Sequence, residues 1–317
     1  MTMSPSADLA YPGQLERGQL SLEPKAPQER RGGIPAARPE SATDFSLEFF
    51  PPRDATAQSR LMAAAQELAA LGPRYVSVTF GAGGSTREGT LATVSELQSL
   101  GFDVAPHLSC IGATPESLRG LLQSYRELGV RRLVALRGDM PSGMGPGLGV
   151  LRHASDLVRF IRDETSNWFH IEVAAYPEMH PQAGSPQVDL GHFVEKMRAG
   201  ANSAITQYFF NADAYFEFVE RARAQGVSAP IVPGIMPITN HNQLVRFSEA
   251  CGAEVPRWIR LRLASFGDDR ASIRDFGQDV IGGLCQRLLD EGAPGLHFYT
   301  LNQADAVRGI WSQLRLR

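Results

Sequence analysis

The chain is poor in cysteine, in net charge and in long apolar runs, and each shortage removes a class of protein. Its three cysteines, Cys110, Cys251 and Cys285, are odd in number and far apart among 317 residues. They cannot form a disulfide framework or a cysteine-rich zinc site, and a reducing cytoplasm is the expected setting. Asp and Glu total 34 against 31 Lys and Arg, a formal net charge of −3. That balance gives no basic footprint, so nucleic acid is not expected as a principal partner. No window approaches the ~18 uninterrupted apolar residues of a spanning helix, and no membrane is expected either. Metal-binding pairs of the His-x-His or His-Glu-x-x-His kind are missing, as is a Gly-x-Gly-x-x-Gly fingerprint behind any candidate strand.

What is present is ordinary globular composition, 43% hydrophobic and 21% charged, sufficient for a full core. Residues 1–43 stand apart, with six of the 21 prolines, one aromatic (Tyr11) and no hydrophobic periodicity. Such a segment buries too little surface to offset its ordering entropy, and a disordered N-terminal extension is expected. No apolar h-region marks a secretory signal, and Asp8, Glu16, Glu23 and Glu29 argue against an organellar transit peptide. The expected organisation is this extension followed by one domain over residues 44–317.

From Asp44 onward, short apolar or alternating runs alternate with helical patterns. Eight strands are expected: Phe45–Phe50, Tyr75–Phe80, Asp103–Cys110, Leu133–Arg137, Ile171–Tyr176, Ala204–Phe209, Ile231–Ile235 and Leu296–Thr300. Between them, series such as Leu61-Ala64-Ala65-Leu68-Leu71 and Leu118-Leu121-Leu122-Tyr125-Leu128 have helical spacing. Ser85-Thr86-Arg87-Glu88 and Thr114-Pro115-Glu116 read as helix starts. Gly72-Pro73, Gly101, Gly129, Gly200 and Gly226 read as helix ends. Strands alternating with helices imply parallel pairing, and eight such units in about 270 residues fit a closed α/β barrel of the (β/α)8 TIM type. A doubly wound open sheet is the second reading.

Four strands show a clear division of faces. Phe45, Leu47 and Phe49 oppose Ser46 and Glu48; Val76, Val78 and Phe80 oppose Ser77 and Thr79. Val104, Leu108 and Cys110 oppose Ala105, His107 and Ser109; Ile171, Val173 and Ala175 oppose Glu172, Ala174 and Tyr176. In a barrel the apolar faces pack on the helices, which turns Glu48, Thr79, His107 and Tyr176 inward near the C-terminal rim, where barrel active sites lie. Polar groups buried there without partners cost about 1–3 kcal/mol each, so four converging on one rim point to a site.

Several stretches now resemble a known family. Phe45-Ser46-Leu47-Glu48-Phe49-Phe50-Pro51-Pro52, Ala135-Leu136-Arg137-Gly138-Asp139 and Ala174-Ala175-Tyr176-Pro177-Glu178-Met179-His180-Pro181 are similar, in chain order, to motifs of the methylenetetrahydrofolate reductase family. So are Gly200-Ala201-Asn202-Ser203-Ala204-Ile205-Thr206-Gln207 and Phe298-Tyr299-Thr300-Leu301-Asn302. The resemblance runs from about Asp44 to the C-terminus. It implies a barrel that holds FAD and reduces 5,10-methylenetetrahydrofolate to 5-methyltetrahydrofolate with NAD(P)H by ping-pong hydride transfer, supplying methyl groups for methionine synthesis. It also implies a homo-oligomer, commonly a tetramer, of the short bacterial type without the regulatory domain that binds S-adenosylmethionine. No ribose-phosphate motif chooses between NADH and NADPH.

The resemblance assigns roles. Glu48 is the general acid that protonates N10 as the imidazolidine ring opens to the reactive N5 iminium. Phe49, Phe50 and the Pro51-Pro52 turn would partly desolvate its carboxyl and favour the protonated form; an ion pair to Arg137 across the barrel would instead keep it charged. Asp139 is the carboxylate beside the flavin pyrimidine and the folate pterin, disfavouring the anionic reduced flavin and steadying the iminium. Thr79, His107, Arg137, Gly138, His153, Ala154, Tyr176, His180, Asp189 and Lys196 fall on FAD-holding positions. Arg137 and Lys196 suit pyrophosphate, Tyr176 offers a flat face and a hydroxyl, and Gly138 permits close backbone approach. Gly81-Ala82-Gly83-Gly84, the glycine-rich loop after the second strand, reads equally as a cofactor cradle or a plain βα loop. Gln207, Gln243, Phe247 and Gln303 fall on folate-contacting positions, with Gln207 suited to the pterin edge. Departures are His153 in place of a tyrosine, His192 and Glu195 in place of an amide and a basic residue, and Gln303 in place of an arginine.

Three other functions compete: a reductase passing hydride directly from nicotinamide to folate without flavin, a non-catalytic folate-binding barrel, and a metal-dependent hydrolase using His107, Glu178 and His180. The first fits the altered adenine-end residues. The second gives no reason for the acids Glu48 and Asp139, and the third lacks ligand spacing.

Overall fold

The computed structural model describes residues 44–80, 87–138 and 150–315. The expected extension over residues 1–43, the Gly81-Ala82-Gly83-Gly84 loop, the Ser85-Thr86 helix start and Asp139 lie outside the described residues.

Parallel strands form the inner wall: β1 (Asp44–Phe49), β2 (Tyr75–Val78), β3 (Val104–Ser109), β4 (Arg132–Leu136), β5 (His170–Ala175), β6 (Ser203–Thr206), β7 (Ile231–Val232), β8 (Gly234–Ile235) and β9 (Gly295–Tyr299). The order β7-β6-β5-β4-β3-β2-β1-β9-β8 rolls the sheet around so that its two ends are consecutive in the chain. The seventh expected strand is split in two. Pro233 has no N–H for a ladder, so Ile231 and Val232 pair with β6 while Gly234 and Ile235 pair with β9. The broken strand thereby joins both sheet edges and closes the barrel, as the alternation predicts. Every other expected strand is present within two or three residues of its expected ends.

Ten helices among the described residues surround the wall: α1 (Ala55–Ala69), α2 (Arg87–Ser99), α3 (Pro115–Glu127), α4 (Ala154–Thr165), α5 (Pro186–Arg198), α6 (Ala212–Ala224), α7 (His241–Cys251), α8 (Arg257–Ser265), α9 (Arg270–Asp290) and α10 (Ala304–Gln313). The α3 start follows its sequence signal. Thr114 accepts from the Ser117 N–H, Ser117 accepts from the Thr114 N–H, and Pro115 occupies the first turn, which together satisfy amide groups that the helix cannot. Leu118, Leu121, Leu122 and Tyr125 share the buried face of that helix. None of the helices among the described residues is long and apolar enough to cross a membrane.

Strand parity divides the interior into two separate apolar clusters. Leu47, Val76, Val78, Leu108, Ile171 and Val173 belong to the large core between wall and helices. Tyr75, Ala105, Val134 and Ile205 form a small cluster on the opposite faces, inside the barrel. Glu48, His107, Glu172 and His297 share that inner space with them and with Leu136 and Ala174.

Candidate active site

At the C-terminal end of the barrel a cavity of about 160 Å³ is lined by Glu48, His107, Leu136, Tyr176, Gln207 and Tyr299, among others. Alternation along β1 sends Leu47 and Phe49 outward and Glu48 inward, in register with Ser77 on β2 and Tyr299 on β9. The Glu48 side chain is 19% exposed, and its Oε2 lies 3.4 Å from His107 Nε2 and 3.8 Å from His297 Nε2. Burial pushes the His107 imidazole below its ordinary range; Glu48 pulls it upward and His297 downward. The net direction favours the neutral ring.

Several buried polar atoms around this acid have no hydrogen-bond partner: Ser77 Oγ, Thr79 Oγ1, His107 Nε2 and His297 Nε2. Each orphan costs about 1–3 kcal/mol. Arg132 Nε at the other end of the barrel is orphaned as well, but the four atoms on the strands around Glu48 make a wall that a polar ligand can complete. The donors and acceptors suit the edge of a nitrogen heterocycle.

The other expected site residues divide into those at this cavity and those beyond it. Tyr176 and Gln207 are in its lining. The Gln207 N–H donates to Ala175 O at 2.7 Å, and its side-chain Oε1 accepts from the Tyr208 N–H, which leaves the amide nitrogen for another partner. Tyr176 meets the His180 ring edge-on at 4.6 Å, while the His180 N–H donates to Asp189 Oδ2 at 2.8 Å. Lys196 Nζ donates to Ala174 O at 2.6 Å; burial lowers its pKa to about 8, opposed by the Asp189 charge. Arg137 donates to Gln182 Oε1 and to the Gly138 carbonyl, so it is engaged at the rim rather than with Glu48. His153 caps α4 just before Ala154, and its exposed ring stacks on His192 at 5.5 Å and 17°. Two of the departures from the family pattern thus touch each other.

Gly138 has a local reason for being glycine. Its φ is +90°, and a Cβ there would lie 2.0 Å from Ser109 Oγ and 2.7 Å from Ile111. The missing side chain makes room for β3 and the residues that follow it. Gln243 in α7, Phe247 one turn further on and the exposed Gln303 before α10 are not in the cavity lining. Among the described residues no group of three metal-ligating side chains exists; Glu178 instead accepts from the Glu254 N–H at 2.8 Å.

Two wall residues escape the four-strand parity reading. His297 is fully buried, with Nδ1 2.7 Å from Ser46 Oγ, and Tyr299 donates to Thr206 O at 2.7 Å. Gly234 admits the Tyr299 ring, since a Cβ there would meet its Cε2 at 2.7 Å. The signal for both was alternation in β9, where Leu296 and Phe298 oppose them.

Comparison with known proteins agrees with this architecture. The family model for methylenetetrahydrofolate reductase matches residues 35–315. The 5,10-methylenetetrahydrofolate reductase of Escherichia coli K12 is 38% identical over 283 residues, 89% of this chain and 94% of that protein. The Pectobacterium carotovorum protein of the same name is 39% identical over 276 residues, covering 86% and 91%. Methylenetetrahydrofolate reductase (NADH) 1 of Arabidopsis thaliana is 33% identical over 296 residues, covering 89% of this chain and 50% of that protein. Among solved structures, a Clostridium thermocellum protein described as binding two copies of 5-methyl-5,6,7,8-tetrahydrofolic acid shares the fold, with TM-score 0.63, 15% identity and coverage of 86% and 94%. With a part-buried acid at the mouth of the barrel and identity sustained along almost its whole length, the chain belongs to the methylenetetrahydrofolate reductase family.

Proposed function

We propose that this chain reduces 5,10-methylenetetrahydrofolate to 5-methyltetrahydrofolate, with NADH or NADPH as reductant and FAD as resident carrier. The observation that carries the reading is Glu48: an acid inside the barrel wall, at the cavity end, among orphaned polar atoms. A binding protein has no evident need for it, whereas ring opening of the substrate needs a proton at N10.

Glu48 gives its proton to N10, the N10–methylene bond breaks, and the N5 iminium forms. Gln207 holds the pterin edge through its amide. His107 and the buried His297 flank the acid and help keep water away from the carboxyl once the mouth is filled. Gln243, Phe247 and Gln303 contribute to folate binding in this reading, and Asp139, outside the described residues, takes by resemblance the role of the carboxylate beside the flavin and the pterin. FAD would be held by Thr79, His107, Arg137, Gly138, His153, Ala154, Tyr176, His180, Asp189 and Lys196, the orphaned Thr79 hydroxyl being a ready donor. When bound, it supplies stepwise hydride transfer between two substrates that take turns at one site. The same reading makes the protein a cytoplasmic homo-oligomer, a tetramer by resemblance, with residues 1–43 as an extension to a single catalytic domain.

Purified protein is expected to be yellow and to oxidise NADH with menadione. Colourless protein whose menadione turnover is indifferent to added FAD would reject the flavin and favour direct hydride transfer. Glu48→Gln is expected to lower folate reduction by about 10²–10⁴-fold while menadione turnover stays near wild type. Equal loss of both reactions would remove Glu48 from the proton-donor role.

A further inference from the structure

The strands begin around a second cavity, at the end of the barrel opposite Glu48. Asp44, Tyr75, Arg132, His170, Ser203 and Gly295 are the first residues of β1, β2, β4, β5, β6 and β9, and all six line it. Its volume is about 360 Å³, within the range of about 300–1,000 Å³ that small-molecule sites occupy. None of its lining residues lines the cavity beside Glu48. The N-terminal face of such a barrel ordinarily serves stability, and part of this wall does. Glu172 accepts from Arg132 at 2.6 Å and from Ser203 Oγ at 2.8 Å, and Ser203 Oγ is 2.6 Å from His170 Nε2. That network leaves two things over: room, and positive charge.

Three arginines stand here against the carboxylates of Glu172 and Asp44. Arg132 gives Nη1 to Glu172 and keeps a buried Nε with no hydrogen-bond partner. Arg74 Nη1 meets Asp44 Oδ2 at 2.5 Å, and the exposed side chain leaves the rest of its donor fork at the mouth. Arg162 is behind the lining residue Asn202, whose Oδ1 it meets at 2.6 Å. Its other donors go to the Gly200, Ser166 and Phe169 carbonyls, none of them charged. Burial first, then the Arg132 charge, lowers the His170 pKa to about 4, with Arg74 and Arg162 acting in the same direction. His170 therefore adds no charge near neutrality, and one positive charge is in excess. A cleft with low-dielectric walls focuses such a field on an anion. Pro230, Val232 and Pro294 give the same cavity an apolar side.

We propose that the N-terminal mouth is a second ligand site, which takes a small organic monoanion: a carboxylate on Arg74, in the field of Arg132 and Arg162, with a short apolar chain against Pro230, Val232 and Pro294. A carboxylate matches the planar guanidinium fork, and its single charge matches the excess. A phosphate dianion would overshoot that charge and has nothing to set against the prolines and Val232. A neutral amide of the same shape keeps the apolar contact and loses the charge-assisted hydrogen bonds. The site is separate from the folate cavity and stands whichever reaction runs there.

Calorimetric titration of the full chain with butyrate, butanamide and inorganic phosphate tests the site. Butyrate is expected to saturate one site per chain, with butanamide about tenfold weaker or more and phosphate weaker than butyrate. Arg74→Gln, a change at an exposed position, is expected to weaken butyrate about tenfold while NADH–menadione turnover stays at the wild-type rate. Val232→Phe fills the apolar side and is expected to abolish binding; should that variant fail to fold, Arg74→Gln and the butanamide comparison decide. The proposal is overturned by the lack of a saturable butyrate site, or by butanamide binding as tightly as butyrate. Phosphate binding more tightly than butyrate overturns the carboxylate, and unchanged butyrate affinity in Arg74→Gln overturns the location.

Discussion

The two ends of the barrel hold similar side chains in opposite states. At the C-terminal end, Ser77 Oγ, Thr79 Oγ1, His107 Nε2 and His297 Nε2 lack hydrogen-bond partners, the two imidazoles standing 3.4 and 3.8 Å from Glu48 Oε2. At the N-terminal end, Glu172 accepts from Arg132 and from Ser203 and lies 3.6 Å from His170, the Arg132 guanidinium lies 4.4 Å from the Tyr75 ring centroid, and Arg132 Nε is the buried atom left without a hydrogen bond. Polar groups that satisfy one another hold the wall together, while groups left unsatisfied wait for what they bind. The contrast predicts that damage at the two ends will look different.

The sharpest break is at the upper end. Glu48→Gln is expected to cost about two to four orders of magnitude in folate reduction with no loss of melting temperature, because the group it alters is under-satisfied in the fold. At the lower end the sign reverses. Arg132→Met leaves the 3%-exposed Glu172 carboxylate without its cation and is expected to destabilise by about 3–5 kcal/mol. Replacing both partners, as Arg132→Met with Glu172→Met, should recover most of that in urea unfolding; a single variant within 1 kcal/mol of wild type would show that the pair is not structural.

A smaller effect follows from pH. Burial, then the Arg132 charge, lowers the His170 pKa to about 4, and burial lowers that of His107. Below about pH 6.5 the unfolded chain binds protons that these folded rings refuse. Stability is therefore fully present above that pH and is lost as pH falls towards 4. His170→Asn should flatten the acid side of a melting-temperature profile; an unchanged slope would assign the acid loss elsewhere. The smallest change is far from both ends. Thr114→Ala removes the capping box of α3 and should cost about 1 kcal/mol with wild-type activity, checked by unfolding and product assays together.

How much of this was legible varies with the range of the interaction. All eight expected strands exist, because alternation and glycine-marked helix ends are local signals. Inward Glu48, His107 and Tyr176 followed from parity alone. The split at Pro233 was missed, Ile231–Ile235 being read as one strand, although a proline within a strand run cannot serve the ladder on both sides. His297 and Tyr299 carried the same alternating signal in β9 but needed the opposite neighbour, β1, to gain meaning. The lower network was not legible, because Tyr75, Arg132, Glu172 and Ser203 come from four strands and nothing local links them. Nor did helical spacing show that Gln243 and Phe247 stay out of the cavity lining, which depends on where α7 sits on the wall.

By itself the sequence determined the alternation of strand and helix, the parity that turns an acid inward and the motifs of a folate-reducing family, since these depend on residues a few positions apart. Only the tertiary structure decided which buried polar groups find partners and which do not. That depends on closure of the sheet, which brings Ser46 to His297 and Arg132 to Glu172 across separations of 251 and 40 residues.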